Sequence, residues 1–304
     1  MKRNRNCLDV HGVLLLDKPV GLTSNDALQA AKRLLNACKA GHTGSLDPIA
    51  TGLLPLCFGD ATRLSQFLLD SDKRYWTVFR LGVNTATYDS EGAVTQTRSV
   101  NVTPADVGRV LPRFTGAITQ IPPMYSAIKR GGQPLYKLAR AGQEVEREPR
   151  DIVIHEMKFI GLDGDRLTLE IHCSKGTYIR TLAQDIGEAL ACGAHVVELR
   201  RLAVGALDVG QAVTLAELQD AGSPEVRAER LLPLDSVLGG MPEVHLTALA
   251  AHYLRQGQSV SLQHGRNPGW VRLYEGESRF LGLGQVLDDG KVAPRRLLGA
   301  GKGI

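Results

Sequence analysis

The segment Gly41 to Gly52, GHTGSLDPIATG, sets a single carboxylate, Asp47, in a loop with glycines at 41, 44 and 52 and with Pro48 directly after it. Proline biases the residue before it away from the right-handed helical region, toward extended backbone. The glycines permit tight turns and let another molecule approach the main chain closely. A helical pattern precedes the loop and an apolar run follows it. Catalytic residues concentrate on loops held this way by a rigid scaffold. A lone aspartate there can serve as a nucleophile or a base. An isolated Asp-Pro is more often a turn whose aspartate bonds its own backbone. His42, in the same loop, has no second histidine or cysteine at metal-ligand spacing. No GxxxxGK[ST] string occurs, which sets aside a Gly-rich phosphate loop.

Other residue types with chemical potential are scattered. Lys18, in Asp17-Lys18-Pro19, is a charge at a strand end, placed to support the motif loop. Tyr75 stands on an otherwise apolar strand face, where a core tyrosine is the ordinary reading. Arg180 follows Thr177-Tyr178-Ile179 at a strand-to-helix junction. Leu199 reads as a core leucine. Between Pro122 and Leu138, Met124, Tyr125, Lys129, Arg130, Tyr136 and Lys137 interleave around Gly131-Gly132. Basic and aromatic residues mixed in this way grip RNA by phosphate contact and stacking.

The elements that must position these groups follow from periodicity. Val13 to Asp17 reads as a strand. Thr23 or Ser24 can cap a helix whose apolar face is Ala27, Leu28, Ala31, Leu34 and Leu35. Leu53 to Phe58 is a short apolar run, and a helix is expected near 61–69. Tyr75, Thr77, Phe79 and Leu81 share one face of a strand from Lys73 to Gly82. Thr103-Pro104 starts a helix with proline at its first position. Leu167, Leu169, Ile171 and Cys173 form the inward face of another strand. The stripe Ile179, Leu182, Ala183, Ile186, Leu190 is helical, and Val196 to Val204 is a further strand. Pro233, Gly239-Gly240 and Pro242 mark a linker. Beyond it, strands are expected at Trp270–Tyr274, Phe280–Leu287 and Lys291–Leu298, the last two joined by an Asp289-Gly290 turn. Helices and strands mix without regular alternation, which points to an α+β architecture.

Length allows one large domain, or one plus a small one, and the hydrophobic fraction of 43% in 304 residues suffices for a sizeable core. No apolar run approaches the roughly 20 residues that span a bilayer. The basic start, Lys2, Arg3 and Arg5, precedes an apolar run too short for a signal peptide. A cytoplasmic protein is expected. Five cysteines at 7, 38, 57, 173 and 192, odd in number and without a C-x-x-C pair, read as reduced thiols rather than a disulfide frame or zinc site. The net charge is +4, and residues 245–304, with eight Lys/Arg against four Asp/Glu, account for all of it. Such a basic appendage suits a polyanion.

Taken together, GHTGSLDPIATG, LLLDKPVGLTSND (14–26), SDKRYWTVFRLG (71–82), IPPMYSAIKRGG (121–132), CSKGTYIRTLAQDIG (173–187) and GAHVVELRRL (193–202) resemble the TruB-type tRNA pseudouridine synthases of bacterial type. The six strings occur in the family's order and cover nearly the whole chain. The resemblance implies the pseudouridine synthase fold, a mixed and largely antiparallel sheet, over 1–240. It implies a small β-rich PUA-type RNA-binding domain over 241–304. It also implies an isomerase that converts the uridine at tRNA position 55, in the T-arm, to pseudouridine.

By that resemblance Asp47 is the nucleophile and Arg180 pairs with it. Tyr178 lines the uracil pocket, and Tyr75 places its ring against the target base with its hydroxyl near the C5 proton. His42 helps displace the nucleotide, and Leu199 forms the apolar side of the pocket. The isomerisation gains no atoms and changes no oxidation state, so no nicotinamide, flavin or metal cofactor is required. No heptad or apolar stripe calls for an oligomer, and a monomer is expected. Two other classes compete: an RNA-binding or folding factor without turnover, and a metal-dependent RNA hydrolase, for which the sequence shows no clustered carboxylates or histidines.

Overall fold

The computed structural model describes residues 7–262 and 267–298. Lys2, Arg3, Arg5, Arg266 and Lys302, part of the charge pattern above, lie outside the described residues.

A nine-stranded sheet carries the larger part of the chain. Its main path runs Gly12–Lys18, Thr51–Phe58, Ala194–Val204, Lys73–Leu81, Arg166–Cys173, Arg150–Asp163, Gly116–Gln120. All neighbours on this path are antiparallel except Thr51–Phe58 with Ala194–Val204, which pair in parallel. The architecture is the mixed, largely antiparallel α+β sheet expected. Leu14, Leu16, Leu54, Leu56, Phe79, Leu169 and Ile171 meet in its main core. The helix Ser24–Leu34 lays Ala27, Leu28 and Ala31 onto that core and begins at a capping box. Thr23 accepts from the Asp26 N–H, and the Asp26 carboxylate accepts from the Thr23 N–H. A second capping box, Thr103 with Asp106, starts the helix Pro104–Val110.

The structure departs from the sequence reading in several places. The helix expected near 61–69 is split into a 3-10 turn, Gly59–Arg63, and a short helix, Ser65–Leu69. The 14-residue strand Arg150–Asp163 was not foreseen, because two register shifts against its neighbour break its period-two alternation. Cys7 and Cys38 form a disulfide, which corrects the expectation of five reduced thiols. Leu8 pairs with Ala37, and its N–H donates to the Asn36 carbonyl, so the N-terminal segment brings the two cysteines side by side. Cys57, Cys173 and Cys192 are free and buried. Finally, the segment read as a linker is packed: Leu238 is buried against Leu64 and Leu283.

Downstream, a five-stranded sheet has the order Glu243–Leu246, Gly269–Glu275, Arg279–Val286, Lys291–Leu297, Val260–Ser261. The helix Ala248–Arg255, absent from the sequence reading, buries Ala251 and Leu254 in this sheet's own core with Val271, Leu273 and Val292. Contacts tie the two sheets together. Phe67 meets Trp270 edge to face at 5.0 Å between ring centroids, and an Arg63 guanidinium donates to the Leu297 carbonyl at 2.9 Å. Among the described residues no helix is long and apolar enough to cross a membrane.

Candidate active site

Asp47 lies between the strands Ala40–His42 and Thr51–Phe58, and its loop is held at nearly every residue. The Thr43 N–H donates to the Pro55 carbonyl at 3.2 Å. The buried Ser24 hydroxyl accepts from the Leu46 N–H at 2.7 Å and donates to the Leu46 carbonyl at 3.0 Å. Asp47 opens a turn closed by the Ala50 N–H on the Asp47 carbonyl at 3.0 Å, with Pro48 supplying its fixed φ. The Pro48 carbonyl accepts from the Gly21 N–H at 2.8 Å. Gly52 closes the loop at φ +96, and a Cβ there would stand 2.3 Å from the Arg201 carbonyl oxygen, so only glycine fits.

Arg180 reaches this loop from the first turn of the helix Ile179–Ala189. Its Nε stands 2.9 Å from Asp47 Oδ2 and its Nη2 3.2 Å from Asp47 Oδ1, a two-pronged pair that fixes the carboxylate's orientation. The guanidinium is itself saturated, donating to the Thr87 carbonyl at 3.0 Å and the Tyr125 carbonyl at 2.8 Å. Its Nη1 also faces the buried Asp89 carboxylate at 3.5 Å. Asp89 is set by a tight turn in which Tyr88 adopts φ +63, the Thr85 hydroxyl donates to the Asp89 carbonyl and the Thr87 hydroxyl donates to its carboxylate. One buried cation therefore serves two carboxylates, one buried and one partly open to solvent. Burial raises the Asp47 carboxyl above the usual carboxylate range; Arg180 opposes this, Asp89 adds to it and Lys18 opposes it.

The other expected residues surround this pair. Lys18 is fully buried and donates to the carbonyls of Pro19 at 2.8 Å, Leu22 at 2.6 Å and Pro48 at 3.5 Å, so it braces the residue after Asp47. Burial lowers its ammonium to about 8, with Asp47 pulling the other way. Tyr178 caps Arg180's helix. Its N–H donates to the Gln120 side-chain oxygen at 2.8 Å, and the Gln120 amide donates to its carbonyl at 3.0 Å. Tyr75 pairs with Ile171 on one side and Arg201 on the other. Burial raises its phenol, and the adjacent Arg201 guanidinium opposes that shift. Leu199 is buried two residues along the same strand pair, opposite Thr77. Burial, and secondly Arg201, push the His42 imidazole below its usual range, and its Nδ1 is buried with no hydrogen-bond partner.

The sequence reading missed Arg201 and Asp89. Arg201 is almost fully buried, donates to the Leu53 carbonyl at 2.7 Å and the Gly44 carbonyl at 3.3 Å, and so pins both flanks of the loop. Its signal was available: it shares the inward register of its strand with Leu199 and Val204-side core residues, where a charge is out of place. Asp89 gave no signal, because its partner lies far away in sequence. The sequence also showed no histidine–carboxylate cluster, yet folding brings Asp72, His155 and His172 together, which corrects that expectation.

Comparison with known proteins agrees with this geometry. Residues 32–179 match the N-terminal domain of the TruB family pseudouridylate synthases. Residues 180–239 match the C-terminal domain of tRNA pseudouridylate synthase B, and 242–298 the C-terminal region of pseudouridine synthase II TruB. The tRNA pseudouridine synthase B of Pseudomonas putida is 55% identical over 293 residues, covering 95% of this chain and 96% of its own. That of Serratia proteamaculans is 53% identical over 300 residues, with 95% and 96% covered. Among solved structures, a chain of the archaeal box H/ACA sRNP Nop10-Cbf5 complex superposes with a TM-score of 0.72 at 25% identity, covering 95% of this chain and 86% of that one. With a single carboxylate held by arginine in its motif loop and relatives of this identity along its whole length, the chain belongs to the TruB family of pseudouridylate synthases.

Proposed function

We propose that this isomerase converts the uridine at position 55 in the T-arm of tRNA to pseudouridine, with Asp47 as its nucleophile. The observation that carries this reading is the two-pronged Asp47–Arg180 pair in a loop held on both flanks. Ordinary turn aspartates bond their own backbone, whereas this carboxylate is presented, partly open, by a buried guanidinium. Covalent catalysis by one carboxylate divides a hard step into two easier ones. The bond from ribose C1′ to N1 breaks, the base turns, C5 bonds to C1′, the C5 proton leaves and N1 takes up a proton. Attack at C1′ or at C6 of the base satisfies the same balance. The detached base never leaves the pocket, so no second carboxylate is needed to activate water, unlike the paired acids of glycosidases.

In this reading Arg180 keeps Asp47 ionised and aimed. Tyr75 stacks on the uracil and its hydroxyl assists removal of the C5 proton, with Arg201 easing the phenol toward that role. Leu199 and Tyr178 wall the pocket. The target must leave its stack, at a cost of a few kcal/mol. The half-buried imidazole of His42 fills the vacated space. Lys18 acts through the loop. No cofactor or metal enters the chemistry. The division at about residue 240, tRNA gripped through the exposed 129–140 segment and the basic C-terminal sheet, a monomeric state and a cytoplasmic location complete the proposal.

The test is tritium release from a tRNA transcript carrying C5-tritiated uridine, in EDTA. One equivalent released per tRNA by the wild type, and none by Asp47→Asn that still binds tRNA, supports the reading. Tight binding without release by the wild type would instead mark a binding factor.

A further inference from the structure

Asp72, His155 and His172 lie on the face of the main sheet opposite the active site. Tyr75, Lys73 and Cys173 point inward, so by period-two alternation His172 and the residues aligned with it point outward. His172 pairs with Arg74 and with Glu156 across its two neighbours. His155 is the extra residue at the bulge where pairing shifts from Ile154↔Cys173 to Glu156↔His172. Bulges re-aim a side chain, and this one turns His155 outward beside His172. Asp72 directly precedes Lys73, which pairs with Cys173, so it meets the same corner from the third segment.

The three side chains converge. Their ligand atoms all lie within 4.8 Å of one another, and His155 Nε2 stands 3.2 Å from Asp72 Oδ2. Adjacent ligand atoms of a tetrahedral site with bonds of about 2.0–2.1 Å are about 3.3 Å apart. The Asp72–His155 edge therefore already has that length. The two imidazoles, 4.8 Å apart between centroids and tilted by 45°, are not stacked flat, so their nitrogens can turn toward one point. The cations nearby have other partners: Arg74 pairs with Glu170, Lys158 with Glu156 and Lys175 with Asp70, and Lys73, which also feels the Asp72 charge, donates to the Leu69 and Ser71 carbonyls. That leaves the Asp72 carboxylate to the histidines.

We propose that Asp72, His155 and His172 form a binding site for one divalent transition cation of the zinc class. Two imidazoles and one carboxylate suit zinc, cobalt or nickel and disfavour magnesium and calcium, which prefer all-oxygen shells. Three protein ligands leave a fourth position for water. The ion would join the start of the Lys73–Leu81 strand, the bulge and the end of the Arg166–Cys173 strand. It takes no part in the isomerisation, and the inference does not rest on the proposed function.

The probe is Co²⁺ added to tag-free, EDTA-stripped chain and followed by visible absorption, then displaced by Zn²⁺ in a calorimeter. One equivalent should bind. His155→Gln and His172→Gln should each weaken it more than about 100-fold, since even outer-shell losses cost 10–100-fold. Asp72→Asn should weaken it less. His245→Ala, which removes a separate histidine–carboxylate pair with Glu243, should change nothing. Zn²⁺ should also raise the melting temperature of the wild type and not of the His155→Gln/His172→Gln double variant. Absence of saturable binding, or one equivalent retained by a folded double variant, would overturn the proposal.

Discussion

The Asp47 loop and the 129–140 segment both carry polar residues and glycines, but they are built on opposite terms. In the loop, Thr43 and Gly44 are bonded to the strand residues Pro55 and Arg201, Leu46 to the helix residue Ser24, Pro48 to Gly21, and Asp47 to Ala50. In the 129–140 segment a two-residue hairpin, Lys129–Arg130 with Gln133–Pro134, turns through Gly131 and Gly132 at positive φ and leads into the short helix Leu135–Arg140. Lys129, Arg130, Lys137 and Arg140 are exposed. The difference matches the tasks. A nucleophile misplaced by an ångström loses much of its rate, whereas phosphate contacts tolerate adjustment because charge acts without strict geometry.

The largest expected effect lies in the loop. Asp47→Asn keeps the shape and removes the charge, so turnover should fall by at least about 10⁴-fold, as for lost nucleophiles elsewhere. The dissociation constant for tRNA, read by filter binding, should stay within about threefold. Equal losses in both would mean that the aspartate shapes the RNA surface instead.

Next comes the guanidinium. Arg180→Met leaves the buried Asp89 without its cation, and breaking a buried pair costs about 3–5 kcal/mol. Turnover should fall by about 10²–10³-fold from lost orientation. Adding Asp89→Asn to Arg180→Met should return most of the stability in urea unfolding and none of the activity. Recovery of both would show that Arg180 serves the fold alone.

Asp89→Asn by itself should be milder, about 10- to 100-fold in kcat/KM by loss of guanidinium positioning, and it carries a sign. Asp89 raises the Asp47 carboxyl, so neutralising it lowers that pKa. The nucleophile must be ionised, and activity falls as pH drops through its pKa. The acid limb of the pH–rate profile should therefore move to lower pH in Asp89→Asn. A limb that stays put, or moves up, would detach Asp89 from the Asp47 charge balance.

How much of this could be read from the chain depended on whether the cause was local. Capping at Thr23, the alternation of Tyr75, Thr77, Phe79 and Leu81, and the glycine–proline frame of Asp47 are written within a few residues, and the structure has them in place. Arg201 was legible in principle, as a charge on an inward register between apolar neighbours. Asp89 was not, because its meaning comes from Arg180, and Arg180 meets Asp47 across 133 residues of sequence. The strand Arg150–Asp163 was hidden by its bulges. The same kind of irregularity hid the Asp72, His155, His172 corner. A bulge is a pairing event between strands, and no single segment encodes it.

The smallest expected effect belongs to the exposed segment, and it sharpens the contrast. Lys129 and Lys137 are solvent-exposed, so replacing both by alanine should leave stability within about 0.5 kcal/mol, as surface substitutions generally do. Each ammonium that neutralises a phosphate adds about 0.7–0.9 to the slope of log K against log salt. The double variant should lower the slope for tRNA binding by about 1.4–1.8, with affinity reduced most at low salt. At saturating tRNA, kcat should be unchanged, because neither lysine touches the Asp47–Arg180 pair. A fall in kcat with an unaltered slope would place this segment inside the catalytic geometry, and the division between a held nucleophile and an adaptable grip would fail.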